Sequence, residues 1–235
     1  MKKLILPLLL FIVPSFSFSQ VSMGVQYTPT FATVNQTEST AGFNISHGIA
    51  FDFTAYVAPK LSAGLRFNAA LLWSESFQDW DIPDVGRTGV EFESSVFSLM
   101  GFVRYQPLGK GKFSPYVDLL YGRTFTYTGG FYTVTEMYNG DPCPHEESFT
   151  SYKDNSESYG FSIGVEMGVA DEAVLDISFT SVQAGTMDYL ARDAIEWNDE
   201  MDNYEITESD GQFSYISFNV GVRMPLFRYS GKRSR

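Results

Sequence analysis

Between Asn44 and Trp73 apolar residues alternate with small or polar ones at period two. Ile45, His47, Ile49, Phe51, Phe53, Ala55 and Val57 share one face of an extended chain, and Asn44, Ser46, Gly48, Ala50, Asp52, Thr54 and Tyr56 share the other. A tight turn at "APK" follows. On the return, Leu61, Ala63, Leu65, Phe67, Ala69, Leu71 and Trp73 line one face, opposite Ser62, Gly64, Arg66, Asn68 and Ala70. The pattern predicts two long strands, each with one apolar face and one face of small, polar or charged residues.

The same rhythm recurs at Val21–Tyr27, Ser95–Tyr105, from Phe113, at Tyr159–Ala170, from Val174, and at Phe213–Phe227. That makes eight predicted strands. The stretch Ser95–Tyr105 is the exception to the alternation, because both of its faces carry apolar residues. Links at Pro59-Lys60, Pro107–Lys112 and Asp171–Ala173 are short, whereas those near 34–43, 75–93, 129–157 and 188–212 are long. Short turns at one end and long connections at the other describe an up-and-down meander. The expected fold is all-β: an eight-stranded antiparallel transmembrane barrel with short periplasmic turns and long extracellular loops.

Charge placement sharpens this picture. Asp52, Arg66, Arg104, Asp118, Glu166, Asp176 and Arg223 all fall on the small-residue faces, close to a short turn or to the end of the last strand. Facing hydrocarbon, an arginine would cost about 2–4 kcal/mol at mid-bilayer. Facing inward, four acids and three arginines can pair. An eight-stranded barrel is just wide enough for side chains to fill, so these seven are expected to form a plug in the periplasmic half of the lumen. A soluble barrel of the lipocalin kind would carry the opposite pattern, apolar inside and charged outside.

Net charge is −12, and becomes −14 when Lys2 and Lys3 leave with a leader. This argues against nucleic acid, where a basic patch is expected. The stretch 75–93 holds six acids and one base, 129–157 six and one, and 188–212 nine and one, while Lys60, Lys110, Lys112, Arg228, Lys232, Arg233 and Arg235 lie on the short-turn side. Aromatic residues suit two interfacial girdles: Trp73, Phe77, Trp80, Tyr127, Tyr159 and Tyr189 at the long-loop end, and Tyr105, Phe113, Phe227 and Tyr229 at the other.

Lys2 and Lys3, the apolar run Leu4–Val13 and "PSFSFSQ" have the form of a secretory signal peptide cleaved before Gln20. The expected organisation is a leader over 1–19, a barrel over 20–229 and a basic periplasmic tail over 230–235. The expected location is the outer membrane of a Gram-negative bacterium. With Cys143 as the single cysteine, no intrachain disulfide forms.

The strands "FSPYVDLLYG" (Phe113–Gly122), "YGFSIGVEMGV" (Tyr159–Val169) and "ISFNVGVRMPLF" (Ile216–Phe227) resemble the outer-membrane β-barrel domain family that holds PorT-like and OmpA-like small barrels. The likeness runs over nearly the whole mature chain. It implies the barrel fold, and by analogy a role as accessory subunit of a secretion or surface assembly. Phe227 fits the aromatic residue on which such barrels often end, although "RYSGKRSR" follows it. No peptidoglycan-binding domain follows the barrel, so that function of OmpA is not implied.

Motifs with chemical content are few. "DPCPHEE" gathers Cys143, His145, Glu146 and Glu147, which suits either a soft metal ion or a Pro-rigidified exposed loop. "EWNDEMDNYEITESD" (Glu196–Asp210) is dense in carboxylates and permits divalent cations, without EF-hand spacing. His47 lies near the outer rim on the lipid side, as an interfacial His beside the aromatic belt or as part of a lipid A deacylase site; the latter needs a His, a Ser and an acid there, no His-x-Ser pairing exists, and Glu38 and Glu75 are merely nearby in topology. Arg123 is the single strand-embedded charge on the lipid side, placed either to meet a lipopolysaccharide phosphate or to turn inward at a bulge. No catalytic, cofactor or metal residue is assigned. The expectation is a plugged, non-enzymatic barrel that displays acidic loops, with outer-membrane lipid and lipopolysaccharide, an envelope protein and divalent cations as partners. A secretion-complex subunit, a lipid-modifying enzyme and a small pore are the alternatives.

Overall fold

The computed structural model describes residues 21–35, 44–82, 86–109, 111–138, 141–170, 173–189, 195–198, 203–206 and 209–226. The expected leader (1–19) and basic tail (230–235) lie outside the described residues. Eleven strands follow one another: β1 (Val21–Tyr27), β2 (Thr30–Asn35), β3 (Asn44–Ala58), β4 (Leu61–Ile82), β5 (Gly86–Tyr105), β6 (Phe113–Tyr138), β7 (Asp141–Gly168), β8 (Val174–Tyr189), β9 (Ile195–Asn198), β10 (Asn203–Ile206) and β11 (Ser209–Pro225).

Nine of them close into a ring through antiparallel neighbours, with β11 pairing β8 on one side and β1 and β2 on the other. β1 and β2 are one barrel strand interrupted at Pro29, which has no N–H to give to a ladder. The ladder survives the break: Thr28 N–H donates to Gly48 O (2.9 Å) and Phe218 N–H to Pro29 O (3.0 Å). The ring therefore has eight staves. β9 and β10 form a separate hairpin within the long 188–212 connection.

Two of the other long connections are themselves largely strand. β4 and β5 stay paired as far as Ile82↔Gly86, and β6 and β7 as far as Tyr138↔Asp141. β6 has 26 residues and β7 has 28, against the 9–11 or so that cross a bilayer. The stretches 75–93 and 129–157, expected as loops, are hairpin arms that carry the barrel wall beyond any membrane.

Polarity inverts along the wall. Toward the short turns the outward side chains are apolar and exposed, among them Phe53, Leu65, Val103, Leu119, Ile163 and Met224. Most of the inward ones are small, polar or charged, with Phe102 and Leu120 among them. Toward the hairpin arms the outward side chains become Ser74, Ser76, Gln78 and Glu91, all exposed. The inward ones become Val90, Phe92, Val96, Val182, Met187, Phe213 and Tyr215, buried in one apolar cluster with Trp73, Phe77 and Tyr132 against it.

A β-bulge performs the switch on β4. Leu71 pairs with Ser95 and Trp73 with Ser94, so Leu72 is the extra residue and parity flips beyond it. Trp73 and Phe77, expected in the outer aromatic girdle, consequently face inward; Phe77 meets Phe92 edge-on at 5.9 Å. Further irregularities interrupt the β6–β7 ladder between Thr128 and Gly129 and the β8–β11 ladder between Gln212 and Ser214. The double-apolar stretch Ser95–Tyr105 has no break in its ladder to β6; its inward apolar side chains belong to the apolar cluster while its outward ones face lipid. Val96, Met100 and Phe102 fill the lumen, while Phe97, Leu99 and Val103 face out.

At the mouth the tip of β8 leans inward. Among the described residues β7 and β8 pair only up to Ser158↔Ala184. Beyond it, Asp188 N–H donates to Asp154 Oδ2 (2.8 Å), Thr126 Oγ1 donates to Asp188 O (3.3 Å), and Met187 is buried in the apolar cluster.

Candidate functional site

The densest polar arrangement lies inside the ring, near the short-turn end. Alternation aims Asp52 (β3), Arg66 (β4), Arg104 (β5), Asp118 (β6), Glu166 (β7), Asp176 (β8) and Arg223 (β11) into the lumen, and none is more than 6% exposed. Register places them side by side: Asp52 opposite Arg66, Arg104 opposite Asp118, and Glu166 opposite Asp176.

The arginine forks organise the layer. Arg66 holds Asp52 through two bonds, Nε to Oδ1 (2.8 Å) and Nη2 to Oδ2 (2.9 Å), and reaches Asp118 Oδ2 at 3.5 Å. Arg104 holds Asp118 in the same bidentate way (2.7 and 2.8 Å) and donates to Glu166 Oε1 (2.5 Å). Arg223 closes the circuit: it donates to Glu166 Oε1 and to Asp52 Oδ2 (3.1 Å), and its Nη2 stands 2.9 Å from Asp176 Oδ2. Each pairing is the charge-assisted kind that a planar fork makes well. All seven belong to one connected network.

Three further residues complete it, and sequence reasoning did not single them out. Tyr116 donates its hydroxyl to Asp176 Oδ1 (2.7 Å), and its ring lies 3.5 Å from the Arg104 guanidinium carbon. Gln106 donates to Glu166 Oε2 (2.9 Å). Phe102 sits 5.5–5.6 Å from the guanidinium carbons of Arg104 and Arg66. The available signal was parity: Tyr116 shares a face with Asp118, and Phe102 with Arg104. Glycine makes room for both rings. A Cβ on Gly164 would stand 2.6 Å from the Tyr116 ring, and one on Gly64 2.6 Å from the Phe102 ring.

Other candidate residues are not brought together. His47 faces outward, stacked on Tyr27 and hydrogen-bonded to its hydroxyl. Glu75 pairs with Phe92, beyond the Leu72 bulge and on the inward side, so the sheet separates it from His47. Glu38 lies outside the described residues. Arg123 faces outward without a bulge; it donates to Asn155 Oδ1 (3.0 Å) and stands opposite Glu157, which accepts from Tyr121 (3.2 Å).

In "DPCPHEE" the backbone belongs to β7, and the side chains of Cys143, His145 and Glu146 lie outside the described residues. Glu147 accepts the Tyr132 hydroxyl (2.7 Å). The carboxylates of Glu196–Asp210, the side chains of Trp80 and Tyr189, and Phe227 and Tyr229 also lie outside the described residues. Of the remaining girdle residues, Tyr105, Phe113 and Tyr159 are outward and exposed. Tyr127 is half-buried on the outward face. Among the described residues, no group of three or more His, Cys, Asp or Glu side chains is placed to hold a metal ion.

An eight-staved closed ring, apolar outside and charged within, is the geometry of a membrane barrel. Residues 4–223 match the family described as outer membrane protein beta-barrel domain. The chain belongs to that family. No curated protein matches it by sequence. Among solved structures it is similar to Neisserial surface protein A, at 11% identity over 86% of this chain and 96% of that one (TM-score 0.46). It is also similar to Ail, the attachment invasion locus protein of Yersinia pestis, at 10% identity over 88% and 99% (TM-score 0.47). A third is the outer membrane protein OprG from Pseudomonas aeruginosa, at 12% identity over 88% and 95% (TM-score 0.42). For this outer-membrane barrel, the outward band of Phe53, Leu65, Val103 and Ile163 is the lipid face, and the seven charges occupy the lumen behind it.

Proposed function

We propose that this outer-membrane barrel is closed and non-enzymatic, and that it lifts acidic β-hairpins off the outer surface of the cell as an interaction or envelope-stabilising platform. The observation that carries the reading is the inversion of polarity along the wall. Strands with a polar outer face over an apolar interior are built for water, not lipid. The hairpin arms β4–β5 and β6–β7 therefore project as a rigid extension of the barrel. The lumen beneath them is filled twice, by the charge layer and by the apolar cluster, which favours a plug over a pore. The arms are extracellular in this reading and the short turns periplasmic. Their acidic faces suit a basic envelope-protein partner or divalent cations bridging to lipopolysaccharide phosphates, and outward Arg123 suits a headgroup phosphate.

Three measurements test it together. In planar bilayers the purified protein should show no channel steps. Protease added to intact cells should cut between Ile82 and Gly86 and between Tyr138 and Asp141, and spare the turn at 59–60. Crosslinking on cells should trap a partner through the arms, and this arm also separates a lone barrel from a secretion-complex subunit. Steady conductance, or cleavage at the short turns alone, would overturn the reading.

A further inference from the structure

The charge layer is bonded unevenly around the ring. On the β5–β8 wall the inward polar groups find partners: Arg104 with Asp118 and Glu166, Ser162 with Thr180 (2.6 Å), and Ser158 with Thr124 (2.8 Å). On the opposite wall Arg66 holds Asp52 and Asn219 reaches Ser178 and Thr180, but a run of other polar atoms is left over. Ser22 Oγ, both amide atoms of Gln26, Thr54 Oγ1, Ser62 Oγ and Arg223 Nε are buried and make no hydrogen bond to protein. These five residues sit on β1, β3, β4 and β11, which are consecutive around the ring. Asp176 Oδ2, the other such atom, has Arg223 beside it.

The placement along β1 is specific. Ser22, Gly24 and Gln26 succeed one another on its inward face. Ser22 lies opposite Thr54, Gly24 lies between Asp52 and Arg223, and Gln26 lies between Ala50 and Gly221. A Cβ on Gly24 would stand 3.5 Å from Arg223 Nε, so the missing side chain leaves an open step beside that unpaired N–H. Small residues form the floor, and unpaired donors and acceptors form the rim. Bound water needs two to four such partners and occupies polar buried sites of this kind, whereas apolar cavities stay dry. Gln26, with its whole amide unpaired at 1% exposure, marks the upper limit.

We infer that a file of bound water runs along the inner face of β1 from Ser22 to Gln26, and that the seal of the barrel lies in the apolar cluster rather than in the charge layer. The charge layer is a hydrated, salt-bridged floor, wet on the β11–β1–β3–β4 side. Phe92, Val96, Val182, Met187 and Phe213 offer water no partner, and they form the barrier. This rests on the closed-barrel reading and says where the closure is.

Proton NMR of the folded protein in lipid bilayers, with magnetisation transferred from water, tests it. Transfer should reach the Gln26 side-chain amide and the Arg223 Nε proton, and Gln26→Leu should weaken the Arg223 signal. In planar bilayers, Phe92→Ala/Phe213→Ala should show channel steps that the wild type lacks; Met187→Ser is the second variant if the double change does not fold. A dry Gln26 and a dry Arg223 Nε in the folded wild type overturn the water file. A silent, folded apolar-cluster variant overturns the location of the seal. A conducting wild type would sink the closed-barrel reading instead, and would leave the water signals to be judged on their own.

Discussion

Strand β4 contains two opposite solutions to the same problem. From Leu61 to Leu71 it presents Leu65 and Phe67 outward and keeps Arg66 and Asn68 inside. From Trp73 to Gln78 it presents Ser74, Ser76 and Gln78 outward and turns Trp73 and Phe77 in. One inserted residue, Leu72, separates the two. What changes is the solvent outside, not the strand. Against hydrocarbon the wall must be apolar and the narrow interior can hold paired charge. Against water the same wall becomes polar and needs a hydrophobic core to pack the two long hairpins against each other.

The halves should therefore fail differently, and the largest effect belongs to the charged one. Arg104→Ala strips both fork bonds from Asp118 and one from Glu166 in a layer where Arg104 itself is 0% exposed. Asp118 would be left with the longer contact to Arg66, and Glu166 with Arg223 and Gln106, so the buried layer would carry excess negative charge at a cost approaching about 3–5 kcal/mol, read as a lower urea midpoint in lipid vesicles. Arg104→Lys should recover only part, since an ammonium cannot hold Asp118 by two parallel bonds. An unchanged midpoint would mean that the network fills the lumen without holding it.

In the apolar half the corresponding test is Met187→Ala. Truncation in a well-packed core costs about 2–5 kcal/mol, and the lower end is expected because the tip of β8 can settle into the gap. The loss should be local. The arms should become sensitive to protease while the unboiled protein still migrates as a folded barrel on an SDS gel. If Met187→Ala instead lowers the urea midpoint as far as Arg104→Ala does, the two halves unfold as one unit and the comparison collapses.

How much of this was legible in the chain follows from the same contrast. The lipid face could be read almost residue by residue, because hydrocarbon penalises each polar side chain over the length of a crossing; outward Arg123, bonded to Asn155, is the charge that breaks the pattern. Asp52, Arg66 and Arg104 could be placed inward by alternation alone. The arms could not. Glu91 and Glu93 on an outward face, and Gly129, Gly130, Pro142 and Pro144 nearby, have loop composition. The bulge at Leu72 inverts the count, so that strict period two from Leu61 puts Trp73 on the wrong side. Tyr116 and Gln106 were hidden for another reason. Parity gives the face, but the Tyr116 hydroxyl on β6 meets Asp176 on β8 by reaching over Gly164 of the strand between them, and that depends on the register of three strands.

A smaller effect probes the seam between the halves. Asp154→Asn should weaken the clasp on the Asp188 amide, worth about 0.5–1 kcal/mol for a partly exposed hydrogen bond. Hydrogen exchange at Asp188 should quicken and exchange at Phe161 and Ile163, in the lipid-facing part of β7, should not. Equal acceleration at both would show that the mouth and the membrane wall are not separable.

The smallest expected effect concerns a single proton, on the water side of the boundary. Tyr132 donates its hydroxyl to the carboxylate of Glu147 (2.7 Å), and that bond to a negative acceptor raises the pKa of the phenol. A raised phenol pKa means that the folded state keeps its proton at a pH where the unfolded chain has begun to lose it. The stabilisation is present in full below the ordinary tyrosine value and disappears as pH rises through the folded one. The ring packs on the apolar cluster but the hydroxyl bond is exposed, so the energy is small and the titration is the better readout. A difference titration of phenolate absorbance, wild type minus Tyr132→Phe, should isolate a tyrosine that ionises later than a free one. Glu147→Gln keeps an acceptor but removes the charge, and should bring that ionisation back toward the ordinary range. If Tyr132 titrates alike with Glu147 and with Gln at that position, the hydrogen bond seen between facing strands is too open to water to matter. The β6–β7 arm would then be held upright by its apolar inner face alone.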